Sequence, residues 1–179
     1  MQLTFRAARL DDVDDIVQLV ESAYRGEVSR AGWTTEADLL EGQRTDCDEV
    51  RALISDPSVV LVLASLGAEL VASVMVRAKA TATSHIGMFA VKPAKQSRGL
   101  GRALLAEAER VALEEQGSTS TEMTVIEQRL ELIAWYGRRG YRPTGGTEPF
   151  PYGNPRFGLP LRDDLRFVIL VKSLPGAGA

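Results

Sequence analysis

The sequence predicts a single α/β domain in which a mixed sheet is flanked by helices. Its 179 residues match the length of one domain that can bury its own core. The hydrophobic fraction of 45% and the charged fraction of 25% are those of an ordinary globular protein. Segments with strand periodicity alternate with segments of helical periodicity, and no repeat or linker interrupts them. We therefore expect one domain over residues 1–174 and a short, loose tail over residues 175–179.

The first half of the chain is predicted to contain a strand, two or three helices and a hairpin. Asp11 is a capping residue for the first helix, and Thr34 or Thr35 for the second. The Asp56-Pro57 step ends the third helix, and Gly67-Ala68 joins two β-branched runs into a hairpin. In order, the predicted elements are strand 3–7, helices 11–24, 34–40 and 46–55, and hairpin strands 59–66 and 69–79.

The second half is predicted to alternate strands with helices. Pro93 closes the next strand, and Gly117 stops a long amphipathic helix. The segment 149–160 contains four of the eight prolines, so we expect an ordered functional loop there. In order, the predicted elements are strand 85–91, helix 99–116, strand 122–126, helix 131–139, and strands 141–144 and 165–173.

Charge and composition limit the classes of function. The formal net charge of −3 argues against a nucleic-acid partner, yet residues 70–106 carry six cations and no acid. That stretch predicts either a site for a small anion, such as a phosphorylated cofactor, or a solvated cationic face. Cys47, the single cysteine, cannot form an internal disulfide, and no apolar run approaches membrane-spanning length. We expect a cytoplasmic enzyme with no membrane partner and no metal.

The junction between strand 85–91 and helix 99–116 has the features of an anion site. Gly99 and Gly101 allow a tight turn and close approach of a ligand to the backbone, and the first N–H groups of a helix have no internal partner. Lys95, Arg98 and Arg102 add positive charge. The Gly-Lys-Ser/Thr ending of a P-loop and the third glycine of a dinucleotide fingerprint are both missing. The junction therefore predicts a different kind of phosphate site.

Two motifs carry a resemblance to a known family. Phe89-Ala90-Val91-Lys92-Pro93 followed by Gln96-x-x-Gly99-x-Gly101 resembles the cofactor motif of the GNAT superfamily of N-acetyltransferases. The segment 132–141, which contains Trp135-Tyr136-Gly137 and Gly140-Tyr141, resembles that superfamily's second signature. The order of elements also matches from about Leu3 to Ser173. The resemblance implies a mostly antiparallel mixed sheet that is splayed at the cofactor site, and acetyl-CoA as co-substrate.

The resemblance also implies roles for individual residues. Backbone groups of Phe89 and Val91 would contact the pantetheine arm and the acetyl oxygen. Tyr136 would protonate the leaving thiolate, although a helical Tyr is also compatible with a plain core position. Many members have an Asn where this chain has Arg129, so a guanidinium would face the cofactor instead. The implied cofactor residues are Phe89, Ala90, Val91, Gln96, Ser97, Arg98, Gly99, Leu100, Gly101, Arg102 and Arg129.

His85, the single histidine, is the candidate general base. The attacking amine has to be neutral, and an unperturbed histidine titrates near ~6.5, which suits a proton acceptor. A Glu stands at this position in the histone-type branch of the superfamily, and His85 shares strand parity with Gly87, Phe89 and Val91. A surface position at the start of the strand is the alternative for His85. Glu122, on the neighbouring strand, is the rival base.

The residue types around the predicted site leave the acceptor open. Loops 26–33 and 149–160 are expected to wall the site, with Glu27, Trp33 and Tyr152 as substrate-binding candidates. Glu27, Glu36 and Asp38 would attract a cationic amine, although Glu36 and Asp38 also fit a solvated acidic helix start. The aromatic side chains would line an apolar pocket or the seam of a homodimer. We expect acetyl transfer to a primary amine of a small molecule or a peptide. A non-catalytic acetyl-CoA sensor or interaction module is the alternative.

Overall fold

The computed structural model describes residues 2–175, so Pro175 alone of the predicted tail falls within it and residues 176–179 lie outside the described residues. The strands are β1 Leu3–Ala7, β2 Leu40–Glu41, β3 Val59–Leu66, β4 Glu69–Ala78, β5 Thr83–Val91, β6 Ser120–Ile126, β7 Arg142–Pro149, β8 Leu159–Pro160 and β9 Arg166–Ser173. The α-helices are α1 Val13–Tyr24, α2 Gly26–Ser29, α3 Cys47–Ser55, α4 Leu100–Arg110 and α5 Leu130–Gly137.

Seven strands form one sheet in the order β1-β3-β4-β5-β6-β9-β7. Every neighbouring pair is antiparallel except β5 and β6, which run parallel. The strands β2 and β8 make a separate two-stranded ribbon. The prediction of a mixed, mostly antiparallel sheet flanked by helices is confirmed, and so is the hairpin at Gly67-Ala68, where Leu66 pairs with Glu69.

The sheet splits between β5 and β6. The two strands pair at three positions, from Thr83 opposite Ser120 to His85 opposite Glu122. Beyond His85 both strands continue without pairing to each other, as far as Val91 and Ile126. This separation opens a wedge in the middle of the sheet and gives the splayed geometry expected from the resemblance.

A bulge at Met88 changes which face of the sheet β5 presents. Met88 has a left-handed φ of 45°, and two β5 residues stand opposite one residue of β4 there. Ile86 packs in the core on the α4 face, whereas Met88 and Ala90 pack in the core on the α1 and α3 face. Phe89 therefore lies on the opposite face from His85. The predicted shared parity of these two residues is wrong, because alternation in a sequence does not reveal a bulge.

The predicted helix over residues 34–40 is absent. Residues 34–39 form turns and irregular structure, and Leu40–Glu41 is strand β2. The Thr34 hydroxyl accepts a hydrogen bond from Gln96, whereas the Thr35 hydroxyl pairs with Ser29 and accepts from the Ala37 N–H. A tertiary contact thus replaces local capping at Thr34, and Thr35 caps only a turn.

Candidate active site

Two cavities meet beneath the wedge between β5 and β6. The smaller cavity, of about 300 Å³, is lined by the loop that follows β5, the start of α4 and one side of α5. The larger cavity, of about 590 Å³, extends to the opposite side, between α1, α3 and β9. The residues that line both are Tyr24, Phe89, Arg129, Leu132 and Tyr136. A ligand in the smaller cavity would therefore touch a ligand in the larger one near Tyr136.

The start of α4 presents free backbone N–H groups to the smaller cavity. Gly99 precedes the helix with φ of 80°, in open space where an added Cβ would meet no atom within 4 Å. The first helical hydrogen bond runs from the Ala103 N–H to the Gly99 carbonyl. The N–H groups of Leu100, Gly101 and Arg102 therefore have no helical partner at the positive end of the helix dipole. This geometry suits an anion.

The cations of residues 70–106 do not form one continuous positive field. Lys92 and Lys95 both pair with Glu69, at 2.7 Å and 3.1 Å. Arg77 pairs with Asp56, and Lys79 pairs with Glu122. Lys95, which the sequence placed at the anion loop, is thus directed elsewhere.

Arg102 and Arg139 supply the positive charge of the smaller cavity. Within residues 2–175, Arg98 and Arg102 form no ion pair, and Arg102 lines the smaller cavity while Arg98 stays exposed. Arg139 also lines it, with its guanidinium 3.4 Å from the centre of the Trp135 ring. Arg139, which lies just past α5, was not among the predicted site residues. Its position three residues after Tyr136 in the second motif was the available signal.

Gln96 ties the anion loop to the segment before β2. Its side-chain amide donates to the Val91 carbonyl at 3.0 Å and to the Thr34 hydroxyl at 2.8 Å, and its oxygen accepts from the Trp33 N–H at 2.9 Å. The side chain predicted to bind the cofactor therefore makes its hydrogen bonds within the protein. Gln96 fixes the wall of the smaller cavity.

The free edge of β5 offers a backbone donor to the wedge. The Lys92 N–H donates to the Val71 carbonyl on β4, so the Val91 N–H points to the other side, into the gap. The carbonyls of Val91 and Phe89 are already engaged, because Val91 accepts from Gln96 and Phe89 accepts from the Tyr24 hydroxyl at 2.6 Å. Tyr24 was predicted only as the end of a helix, and its role at the wedge is new.

Tyr136 has a buried ring and a free hydroxyl. It is 4% exposed, and its ring contacts those of Trp135 and Phe89, with centroids 5.0 Å and 6.3 Å away. Its hydroxyl makes no hydrogen bond to another group within residues 2–175. Burial, with a contribution from Tyr24, raises the pKa of Tyr136 well above its ordinary value. The hydroxyl is protonated at neutral pH and available to donate.

Arg129 lines the smaller cavity and also pairs with the acid Glu36. Its guanidinium donates to Glu36 at 2.8 Å and to the Thr34 carbonyl, and Arg25 donates to the other oxygen of Glu36 at 2.6 Å. Burial alone would raise the pKa of Glu36, but Arg129, Arg25 and Arg44 outweigh it and hold that pKa below its usual range. Glu36 is therefore a buried carboxylate.

His85 lines the larger cavity, and Glu122 lies behind it. The His85 Nδ1 is 3.7 Å from Glu122 Oε1, an oxygen that also accepts from Lys79. Burial lowers the pKa of His85, and Glu122 opposes that shift. The space beside Gly87 is filled by the Met75 methyl, 2.7 Å from where a Cβ would stand. The imidazole is thus neutral at neutral pH and can accept a proton.

The three predicted substrate residues do not come together. Glu27 has a side chain that is 89% exposed, pairs with Arg30 and lines neither of the two cavities. Trp33 lines the smaller cavity, with its ring centroid 6.2 Å from that of Trp135. The Tyr152 hydroxyl accepts from the Leu165 N–H and donates to the Arg162 carbonyl, away from both cavities.

Neither a metal site nor a membrane-spanning helix occurs in the part of the chain from residue 2 to residue 175. No group of three or more His, Cys, Asp and Glu side chains there is arranged to hold a metal ion. No helix of that part is long and apolar enough to cross a membrane.

Known proteins share both the sequence pattern and the fold. The sequence model of the acetyltransferase (GNAT) family matches residues 14–141. No curated protein is significantly similar to this chain in sequence. The ribosomal-protein-S18-alanine N-acetyltransferase of Escherichia coli has a similar structure, with a TM-score of 0.72 and 15% identity over 99% of this chain and 97% of that one. A spermidine N-acetyltransferase of Vibrio cholerae has a TM-score of 0.69 and 14% identity over 97% of this chain and 94% of that one. At these identities the likeness establishes the fold.

Proposed function

Because this chain belongs to the acetyltransferase (GNAT) family, we propose that it transfers an acetyl group from acetyl-CoA to a primary amine. The observation that carries the proposal is the free Tyr136 hydroxyl at the junction of two cavities. One cavity suits the co-substrate and the other suits the acceptor. The two N-acetyltransferases of similar structure act, by name, on a protein alanine and on spermidine, so amine acceptors of several kinds are compatible with this fold.

The residues around the smaller cavity fit a coenzyme A phosphate group. The unpartnered N–H groups of Leu100, Gly101 and Arg102 would bind the pyrophosphate, and the charges of Arg102 and Arg139 would neutralise it. The Val91 N–H would bind the pantetheine arm or the thioester oxygen along the free edge of β5. Gln96 would act indirectly, by holding Trp33 against this cavity.

Bound acetyl-CoA would supply a thioester. In the reaction the thioester carbon would gain a bond to the amine nitrogen and lose its bond to sulfur. The nitrogen would lose one proton, and the sulfur would gain one. Tyr136 would give its proton to the sulfur, since its hydroxyl is protonated and unpaired. His85 would take the amine proton. The thioester would lie near Phe89, and the rise of a strand puts roughly 13 Å between the backbone of Phe89 and that of His85. The proton would therefore pass from the amine to His85 through water.

Glu122 would position His85 and not act as the base itself. Its carboxylate is already engaged by Lys79, and it does not line the larger cavity. A carboxylate that faces Nδ1 favours the tautomer with a proton on that nitrogen. The other nitrogen, Nε2, would then be free to accept a proton.

The test combines cofactor binding with turnover. Acetyl-CoA should raise the Tm of the purified protein, because it binds the native state only, and dephosphorylated pantetheine should raise it much less. Release of free thiol from acetyl-CoA in the presence of a panel of amines should identify an acceptor. Binding without turnover across a broad panel would favour a non-catalytic sensor. The absence of a Tm shift with acetyl-CoA would contradict both the acetyltransferase and the sensor.

A further inference from the structure

We propose that the larger cavity selects an amine that also carries a carboxylate, such as a free amino acid with an apolar side chain. This inference rests on the proposed function and names its acceptor class. It replaces the expectation of a cationic acceptor attracted by Glu27, because Glu27 lies outside both cavities.

Three guanidinium groups surround one carboxylate in the wall of the larger cavity. Arg25 and Arg129 donate to opposite oxygens of Glu36, at 2.6 Å and 2.8 Å. The Arg44 guanidinium lies 5.4 Å from the centre of the Tyr24 ring, and that of Arg129 lies 5.7 Å from the same centre. With one negative and three positive charges, the group has a formal charge of +2 beside Tyr136. Burying unbalanced charge is costly, and an anionic ligand would offset that cost.

Arg25 has unused hydrogen-bonding capacity. Its side chain is 6% exposed, and its Nε and Nη2 are buried without a partner within residues 2–175. These two atoms lie on one edge of the guanidinium, beside Gly158, where an added Cβ would be 3.2 Å from Nη2. Because Gly158 does not line the larger cavity, Arg25 contributes its positive charge to the cavity wall and not this edge.

Arg44 is the most accessible of the three arginines. It is half-buried, lines the larger cavity and forms no ion pair within the described part of the chain. Glu21 uses its Oε1 to accept the backbone N–H groups of Arg44 and Thr45. Glu49 accepts from the Thr45 hydroxyl. Neither acid is within salt-bridge distance of the Arg44 guanidinium.

The rest of the larger cavity suits an apolar side chain. Its volume of about 590 Å³ is in the range of small-molecule sites. The apolar residues that line it near the arginines are Leu40, Ile126, Leu132, Phe150, Phe157 and Phe167. A carboxylate at the arginines and an amine near Tyr136 would leave the side chain of an amino acid against this surface. The whole lining is balanced, with five arginines and five acids, so the positive charge is confined to the end that holds Arg25, Arg44 and Arg129. A polyamine, by contrast, would bring further positive charge to that end.

The decisive experiment compares acids with their amides. Leucine, methionine, valine, phenylalanine and tryptophan would each be paired with the corresponding amino-acid amide, with spermidine as a cationic comparison. The amine of an amide is less basic than that of the free acid and is therefore more often neutral, so a preference for the acid cannot result from amine reactivity. We expect kcat/KM to favour the acid in at least one pair by roughly tenfold or more.

Matched variants assign the preference to the cavity wall. Arg44→Gln should reduce the preference for the acid by roughly tenfold, with little change for the amide or in the KM of acetyl-CoA. Arg51→Gln is the control, since Arg51 carries the same charge on nearby α3 but lines neither cavity. The inference is overturned if no acid is preferred to its amide, if spermidine is the best acceptor, or if both variants behave alike.

A binding experiment tests this inference independently of catalysis, and so independently of the proposed function. The N-acetylated forms of the same five acids and amides would be titrated against the protein by calorimetry in the presence of coenzyme A. Tighter binding of an N-acetyl acid than of its amide, lost in Arg44→Gln, would support the carboxylate site even without turnover. Equal binding of acids and amides would reject it, whatever the catalytic result.

Discussion

At the scale of single residues, Tyr136 combines the properties of a proton donor. Its ring is fixed by aromatic neighbours, its hydroxyl is unpaired, and burial keeps it protonated. Tyr141 offers a natural comparison, since it is equally buried but its hydroxyl is hydrogen-bonded to Thr121 at 2.9 Å and Glu109 at 3.1 Å. One hydroxyl is available for chemistry and the other stabilises the fold.

Tyr136→Phe should lower kcat by roughly 10²-fold or more, with little change in Tm or in the affinity for acetyl-CoA. The hydroxyl makes no hydrogen bond that folding would lose, so its removal should affect only the chemical step. Tyr141→Phe should do the opposite, with a loss of roughly 1–3 kcal/mol in the free energy of unfolding and an almost unchanged kcat. Steady-state kinetics and thermal unfolding of both variants check this. Full activity of the Tyr136→Phe variant would mean that Tyr136 is only an aromatic residue of the core.

His85→Gln should remove the acidic limb of the pH profile of kcat/KM. The pKa of His85 is lowered by burial, so the limb should lie below the ordinary histidine value of about 6.5, with activity lost as the pH falls through it. Glu122→Gln removes an interaction that raises this pKa and should move the limb to still lower pH. A profile that is unchanged in His85→Gln but collapses in Glu122→Gln would make Glu122 the base.

At the scale of elements, the start of α4 is the part of the fold that we propose binds the cofactor. Gly99 and Gly117 stand on either side of the same helical segment, both with left-handed φ and both with open space where a Cβ would stand. They differ in what lies nearby, because Gly99 lines the smaller cavity and Gly117 does not. The same substitution at both glycines therefore distinguishes the cost of a strained backbone, which both share, from the loss of an anion site, which only Gly99 would cause.

Gly99→Asp should abolish the Tm increase caused by acetyl-CoA, because a carboxylate would stand where the phosphates bind. Gly117→Asp should keep that increase. Each substitution should cost roughly 1–2 kcal/mol of stability without ligand, since both place a side chain at a left-handed φ. Thermal unfolding of both variants, with and without acetyl-CoA, is the measurement. An unchanged ligand response in Gly99→Asp would show that this loop does not bind the phosphates.

The elements also show where sequence patterns stop being informative. Strand 85–91 and the anion loop were predictable, because their periodicity and glycine spacing are local. The bulge at Met88 was not, since it depends on how β4 and β5 pair. The helix expected after Thr34 was lost to long-range contacts with Gln96 and Arg129. Local signals predicted the elements, whereas tertiary partners decided these exceptions.

At the scale of the whole molecule, the sequence predicted the fold class and the position of the wedge, but not the larger cavity. The fold class follows from the order of the elements, and the wedge was implied by the family resemblance that two local motifs carry. The cavity wall draws Arg25, Glu36, Arg44 and Arg129 from four separate segments, and no spacing in the sequence relates them. Arg129 was expected to face the cofactor, and its contact with Glu36 links the second half of the chain to the first.

Glu36→Gln should therefore destabilise the whole domain. The substitution leaves Arg25 and Arg129 buried without their shared carboxylate, and breaking a buried ion pair in this way costs roughly 3–5 kcal/mol. For a domain of this size, a Tm decrease of roughly 6 °C or more should follow. Glu27→Gln is the control, since it removes the same charge from an exposed pair with Arg30 and should leave Tm almost unchanged.

The pH dependence of stability gives this prediction a second readout. The pKa of Glu36 is lower in the folded protein than its ordinary value of about 4.3. The contribution of the Glu36 charge to the free energy of unfolding is therefore fully present above pH 4.3. It is lost as the pH falls through the lower folded-state pKa, where the carboxylate becomes protonated between the two arginines. Thermal unfolding from pH 7 to pH 3 should show the wild type and Glu36→Gln converging in stability as the pH falls. A constant difference across this range, or equal Tm values at pH 7, would mean that Glu36 does not join the two halves through its charge.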